Sequence, residues 1–277
     1  MPRIVADLGN SRLKWGRIDT DGRLGATVTL PTDDPASWAS AWADWGLSAA
    51  GSWSVSSVNP PLADRLGRFL ETQGVGAIRW HRSASEVSVR HELEQPGSTG
   101  ADRALAVVGA LGVHRGRGPG LVVSCGTAVT VERISSDGTW QGGAIAPGLG
   151  PMARALHLMT AQLPEVAPRH PPEPFGRSTV PALEAGVFWA VVGAIRELLG
   201  RQAVGLSPTP WLIWTGGDAP TFAPWVEWPG AEVIPHLVLE GLRIESAGVG
   251  QGSPCRPDSA GRALPYAEAA STTVVES

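Results

Sequence analysis

Lysine is almost missing from this chain: Lys14 stands alone against 21 arginines. Acidic residues outnumber basic ones, 26 to 22, for a formal net charge of -4, and no basic stripe exists to neutralise a phosphate backbone. A nucleic-acid partner is therefore not expected. Cysteine is as scarce. Cys125 and Cys255 are the only two, which builds neither a zinc site nor a disulfide framework and points to a reducing compartment. Long apolar runs are missing too: the most apolar stretch, Ala185 to Ile195, is too short for a bilayer, ends at Arg196-Glu197 and reads as a buried helix. Met1-Pro2-Arg3 leads straight into a strand without the charged and apolar regions of a signal peptide, so a cytoplasmic protein with no membrane partner is expected. The chain has no G-x-x-x-x-G-K-[ST], no strand-linked G-x-G-x-x-G, no H-E-x-x-H and no G-x-S-x-G. P-loop, dinucleotide-binding, zinc-protease and serine-hydrolase readings lose their support.

What is there is glycine at the ends of strands. Asp7-Leu8-Gly9-Asn10-Ser11, Cys125-Gly126-Thr127-Ala128 and Thr215-Gly216-Gly217-Asp218 each follow a run that reads as a buried strand. Backbone amides at such turns can face an anion, which is how proteins hold nucleotide phosphates. The first two segments resemble copies of one unit. Each is followed by a ribbon, Arg12 to Ile18 or Ala128 to Ile134, and then by an Asp-Gly turn at Asp21-Gly22 or Asp137-Gly138. The repeat suggests two related α/β lobes with a nucleotide between them, although a strand-glycine-hairpin can also recur by chance.

The rest of the chain alternates strands and helices. Pro35 to Trp45 reads as a helix with Trp38, Trp42 and Trp45 on one core-facing side, Trp53 to Val58 as a strand, Asn59 onward as a helix and Ala77 to Trp80 as a strand. The loop Gln95 to Gly100 delivers Asp102 to a helix ending near Gly112. Glycine-rich Arg115 to Gly120 marks the boundary between an N-terminal lobe, 1-115, and a C-terminal lobe, 116-250. A helix follows Pro147-Gly148-Leu149-Gly150, and five prolines between Pro164 and Pro174 dictate an extended loop. Ser178 or Thr179 caps a long helix with Pro181 in its first turn, whose apolar surface suits a subunit interface. The Gly/Ser/Pro/Ala-rich stretch 251-277 reads as a mobile tail.

Phosphoryl transfer needs a cradle for the phosphates, a cation and a base for the attacking hydroxyl. Asp7 is placed to hold Mg2+, through water. Gly9, Asn10, Ser11, Gly126 and Thr127 offer donors to phosphate, and Gly216-Gly217 permits close approach to a nucleotide. Lys14 either faces phosphate or is a solvated ribbon lysine. Asp102 is the candidate base, its competing reading being a helix cap paired with the adjacent Arg103.

In this order, Asp7-x-Gly9-Asn10-Ser11 with Lys14-Trp15-Gly16, Gly100-Ala101-Asp102-Arg103, Gly126 to Thr130, Gly142 to Gly148, Thr179 and Thr215 to Ala219 resemble the type III pantothenate kinases, over about residues 3-247. The resemblance implies the duplicated actin-like, hexokinase-like (ribonuclease H-like) ATPase fold and a homodimer. It also implies ATP- and Mg2+-dependent phosphorylation of pantothenate to 4'-phosphopantothenate, the first committed step toward coenzyme A. Carried across, it makes Asp7, Leu8, Gly9, Asn10, Ser11, Arg12, Leu13 and Lys14 the ATP phosphate segment and Thr127 a second ATP contact. Asp102 becomes the proton acceptor, with Gly100, Ala101, Asp102, Arg103 and Thr179 against pantothenate. Three positions depart from the family. Ser124 replaces the usual Asp of the site for an activating K+ or NH4+, Glu132 stands where Asp is common, and Leu93 where many members have tyrosine. Those departures leave two alternatives open: a catalytically weakened nucleotide-binding accessory protein, or a kinase for another small hydroxyl compound.

Overall fold

The structure, a computed structural model, describes residues 3-114, 118-167 and 171-248. The expected tail, 251-277, lies outside the described residues, as do 115-117 at the expected boundary and 168-170 of the proline-rich loop.

Two five-stranded sheets share one plan. In the first, β1 (Arg3–Leu8), β2 (Arg12–Ile18) and β3 (Leu24–Pro31) pair antiparallel, while β4 (Ser52–Ser57) and β5 (Ala77–His81) continue parallel to β1, giving the order β3-β2-β1-β4-β5. In the second, β6 (Gly120–Cys125), β7 (Ala128–Ile134), β8 (Trp140–Pro147), β9 (Trp211–Thr215) and the short β10 (Glu232–Val233) give β8-β7-β6-β9-β10, with the same parallel and antiparallel neighbours. Even the irregularities match: the β2-β3 ladder slips between Gly16 and Ile18, and the β7-β8 ladder between Glu132 and Ile134. Leu8 pairs with Leu13 and Cys125 with Val129, so the first turn holds one residue more than the second. The duplication read in the sequence is therefore a duplication of topology, and a coincidence of motifs does not account for it.

The helices follow from local chemistry. Helix α1 (Pro35–Asp44) starts where the Asp34 carboxylate accepts the backbone N–H groups of Ala36 and Ser37, and α2 (Pro60–Thr72) starts where the Asn59 side chain accepts that of Leu62. Trp38 is fully buried and Trp42 stacks on Trp53 with centroids 6.1 Å apart, so this tryptophan face packs the first lobe's core. Helix α4 (Leu149–Met159) and the long α5 (Thr179–Ala203) cover the second sheet, with Phe188, Val191, Val192 and Ile195 buried as the apolar run predicted. No helix among the described residues is long and apolar enough to cross a membrane.

Helix α3 (Ala101–His114) and, after the short α6 (Ala219–Phe222), helix α7 (Leu237–Gly248) lie between the sheets, in a core that joins Val5 and Ile18 of the first sheet to Val122, Ile134 and Ile213 of the second. They cross at glycines. A Cβ on Gly109 would sit 2.4 Å from the Leu237 carbonyl oxygen, and one on Gly241 would sit 2.1 Å from that of Leu105. Any side chain there would push the two helices apart. The sequence reading placed no helix at 237-248, yet this is the element that brings the end of the described chain back onto α3 and β1.

Candidate active site

The two sheets present matching rows of side chains at the ends of their central strands. In the first, Asp7 lies opposite Lys14 on β2 and Ser56 on β4; in the second, Ser124 lies opposite Thr130 and Thr215. The first row carries two charges and one hydroxyl, and the second consists of hydroxyls alone. Lys14 Nζ stands 3.6 Å from Asp7 Oδ2, which places the chain's single lysine beside the first glycine turn rather than in free solvent. Burial pushes the Asp7 carboxyl above the usual range, against the opposing pull of Lys14.

The three glycine segments meet. Ser11 Oγ and Thr127 Oγ1 are 2.8 Å apart, a hydroxyl contact that links the first turn to the second. The Asp218 N–H donates to the Cys125 carbonyl at 3.2 Å, which links the second to the third. Asn59 Nδ2 donates to Asn10 Oδ1 at 2.9 Å and steadies the first turn. The Leu8 and Leu13 side chains are buried in the core, so these two residues have only backbone to offer a ligand, whereas Asn10, Ser11, Arg12 and Thr127 are exposed. Cys125 is buried, and burial with the nearby Asp218 charge raises its thiol pKa steeply, so it is no nucleophile.

Asp102 sits in the first turn of α3, delivered by a loop that an antiparallel bridge from Ser83 to Gly100 holds in place. Its Oδ1 accepts the Arg103 backbone N–H at 2.9 Å. Burial first, and the Asp7 charge second, push its pKa from an ordinary 3.8 to about 6. The reading in which Asp102 pairs with the Arg103 guanidinium is not what the structure holds. That guanidinium forms a fork with Glu132, Nε to Oε1 at 2.6 Å and Nη2 to Oε2 at 2.7 Å, and Glu132 is completely buried. Gly100 makes room for Asp102, since a Cβ there would lie 2.5 Å from Asp102 Oδ1.

Thr179 is the first residue of α5 and is exposed. Ser178 holds the cap position without a side-chain bond, so neither of the two expected caps acts through its hydroxyl. No hydrogen bond among the described residues joins Thr179 to the Asp102 group. Leu93 packs over Gly142, close to the Trp140 indole that donates to Glu132 at 3.0 Å. One residue here was not anticipated. His236, just before α7, has a φ of 59°, and its buried Nδ1 lacks a partner among the described residues. Burial and the nearby Lys14 charge lower its pKa, and Asp7 opposes them. A lone histidine after a proline carries no sequence signal for this placement.

Comparison with known proteins fits this geometry. The family model described as type III pantothenate kinase matches residues 3-201. The type III pantothenate kinase of Acidiphilium cryptum is 37% identical over 255 residues, covering 87% of this chain and 93% of that protein. Among solved structures, a Campylobacter jejuni protein assigned to the Baf family of transcriptional activators superposes with a TM-score of 0.56 at 19% identity, covering 89% of this chain and 98% of its own. A Listeria monocytogenes protein assigned as an N-acetylmannosamine kinase gives 0.50 at 14% identity, covering 91% and 100%. At such identities these structures speak to the fold alone, a two-lobed actin-like, hexokinase-like α/β fold.

Proposed function

The chain belongs to the type III pantothenate kinase family and phosphorylates pantothenate with ATP, and on that premise we propose how its residues divide the work. The observation that carries the proposal is the buried Asp102 beside the joined turns of Asp7 to Lys14 and Gly126-Thr127. The first turn, with Lys14, and Thr127 hold the ATP phosphates. Asp102 accepts the proton of the pantothenate 4'-hydroxyl as that oxygen bonds to the γ-phosphorus and the bond to ADP breaks. Gly100 to Arg103 and Thr179 hold pantothenate, with Arg103 meeting its carboxylate. A coupled ADP-release assay tests this directly. Pantothenate should stimulate ADP release well above the ATP-only rate, and no stimulation would remove the kinase assignment.

Mg2+ fits the residues present. Burial holds Asp7 and Asp102 above their ordinary pKa, the Asp7 charge adds to the shift of Asp102, and a divalent cation would favour the ionised form of both beside Lys14. Asp7 would hold it through water, and the ion supplies neutralisation of the phosphate oxygens. Among the described residues no group of three or more His, Cys, Asp or Glu side chains could hold a metal ion. A monovalent cation fits poorly. The row Thr130, Ser124, Thr215 offers neutral oxygens, Thr130 Oγ1 buried without a partner among the described residues, but no carboxylate. The Glu132 carboxylate is already committed to Arg103, through both oxygens, and to Trp140, through Oε2. Activity should therefore respond little to K+ or NH4+ or need high concentrations of them, while Ser124→Asp should lower the half-activating concentration. Strong activation of the unaltered protein at low K+ would defeat this argument.

We place the protein in the cytoplasm as a homodimer of two-lobed chains, 1-115 and 116-250. The exposed side chains of Ile145 on β8, Leu158 and Met159 on α4, Phe175 before α5 and Val180 in its first turn support a subunit contact there. A monomeric mass by light scattering would remove it.

A further inference from the structure

We infer that Glu132 is a positioning residue for the substrate: its carboxylate, fixed by the Trp140 indole, turns Arg103 so that one edge of the guanidinium is presented to the substrate carboxylate. The inference rests on the assignment of Arg103 to pantothenate made above.

Glu132 projects from β7 and has no exposed surface, so an ionised carboxylate there requires partners. Its partners account for its geometry completely. Oε1 accepts from Arg103 Nε at 2.6 Å, and Oε2 accepts from Arg103 Nη2 at 2.7 Å and from Trp140 Nε1 at 3.0 Å. Trp140 is itself fully buried and shares its N–H with the Gly142 carbonyl at 3.1 Å, so the indole cannot swing away without losing both. The Arg103 guanidinium also lies 5.5 Å from the Trp140 ring centroid, a third restraint on its plane. Gly143 completes the fit, because a Cβ there would come within 2.5 Å of Glu132 Oε2.

A fork through Nε and Nη2 commits one edge of the guanidinium and leaves Nη1, which has no protein partner among the described residues. The Arg103 side chain keeps 15% of its surface exposed while that of Glu132 keeps none, so the open edge is the accessible one. Asp102 precedes Arg103 in the same helical turn. The base and the free guanidinium edge are thus fixed relative to each other by one turn of α3, and Glu132 fixes the second of them from β7 of the second sheet. A substrate bearing a hydroxyl at one end and a carboxylate at the other reads that separation.

The decisive variant is Glu132→Asp, which keeps the charge and the fork but shortens the arm by one methylene and drags Arg103 toward β7. Misplacement by about 1 Å of a group that orients a substrate costs between tenfold and a hundredfold. The KM for pantothenate should rise about tenfold with the KM for ATP within about twofold, and the preference for pantothenate over its analogue with a primary alcohol in place of the carboxylate should shrink by a similar factor. Glu132→Gln should do the same more severely. If it does not fold, Glu132→Asp alone carries the decision, since it leaves no buried charge unpaired. Arg103→Lys is the control. Should it raise the pantothenate KM while a folded Glu132→Asp leaves both KM and preference unchanged, Glu132 only straps α3 to β7 and the inference is overturned. Should Arg103→Lys leave them unchanged, the assignment of Arg103 to the substrate fails, and the inference with it.

Discussion

Replacing Asp102 with asparagine will lower turnover by about a hundredfold or more, leave the KM for ATP nearly intact, and raise the melting temperature. The first effect follows from the role proposed for Asp102, that of accepting the proton of the substrate hydroxyl without touching the nucleotide. The third follows from burial. The Asp102 pKa stands at about 6 in the folded protein against an ordinary 3.8, so the fold binds this proton more tightly than the unfolded chain does. That contribution is fully present below pH 3.8 and is lost as pH rises through about 6. At pH 8 the ionised carboxylate is a burden of at most about 3 kcal/mol, which a neutral amide removes while still accepting the Arg103 N–H. The unaltered enzyme's kcat/KM for pantothenate should climb with pH through about 6 as Asp102 becomes ionised, and the residual rate of Asp102→Asn should lack that step. Turnover close to normal in the variant would take Asp102 out of the mechanism. A lowered melting temperature would mean that the carboxylate is a structural anchor.

Much of this site was legible because it lies where the chain is most regular. Strand, glycine turn and ribbon carry strong local signals, and their recurrence exposed the duplication that the two sheets repeat down to the ladder slips at Gly16 and Glu132. Asp7, Ser11 and Thr127 were readable because each stands at such a turn. What escaped depends on contacts distant in sequence. Arg103 was read with its neighbour Asp102, but it pairs with Glu132, 29 positions away, through a fold that no spacing rule reports. Glu132 showed in the sequence only as a departure from the family's aspartate, and its bonds to Arg103 and Trp140 carry no local signal. Helix α7 was missed for a related reason. Leu242-Arg243-Ile244-Glu245 alternates apolar and polar residues as a strand does, and Gly241 reads as a breaker, although that glycine is what lets the helix approach α3. His236 owes its place beside Asp7 and Lys14 to that same helix.

The paired glycines after β9 were read as one device, a backbone bare enough for a nucleotide to approach, and the structure separates them into two. Gly216 has a φ of +93°, and a Cβ there would lie 2.1 Å from the Cys125 carbonyl oxygen and 2.8 Å from its nitrogen. That is backbone against backbone between the ends of two paired strands, which no rotamer change relieves. Gly217 has nothing within 4 Å of where its Cβ would be. Gly216→Ala should therefore prise the Thr215 turn from the Cys125 turn, break the Asp218-to-Cys125 hydrogen bond and cost on the order of 3 kcal/mol or more, with a fall in melting temperature of roughly 6 °C or more. Gly217→Ala should melt within about 2 °C of the unaltered protein, because a methyl group enters open space. Its effect should appear only when ATP is added, as a KM for ATP raised about tenfold with the pantothenate KM unchanged, since a nucleotide lying along this turn is what would meet the new methyl group. Equal losses of stability in the two variants would show that both glycines serve packing. A normal ATP KM in Gly217→Ala would move the nucleotide away from the third turn, leaving Ser11, Lys14 and Thr127 to hold it.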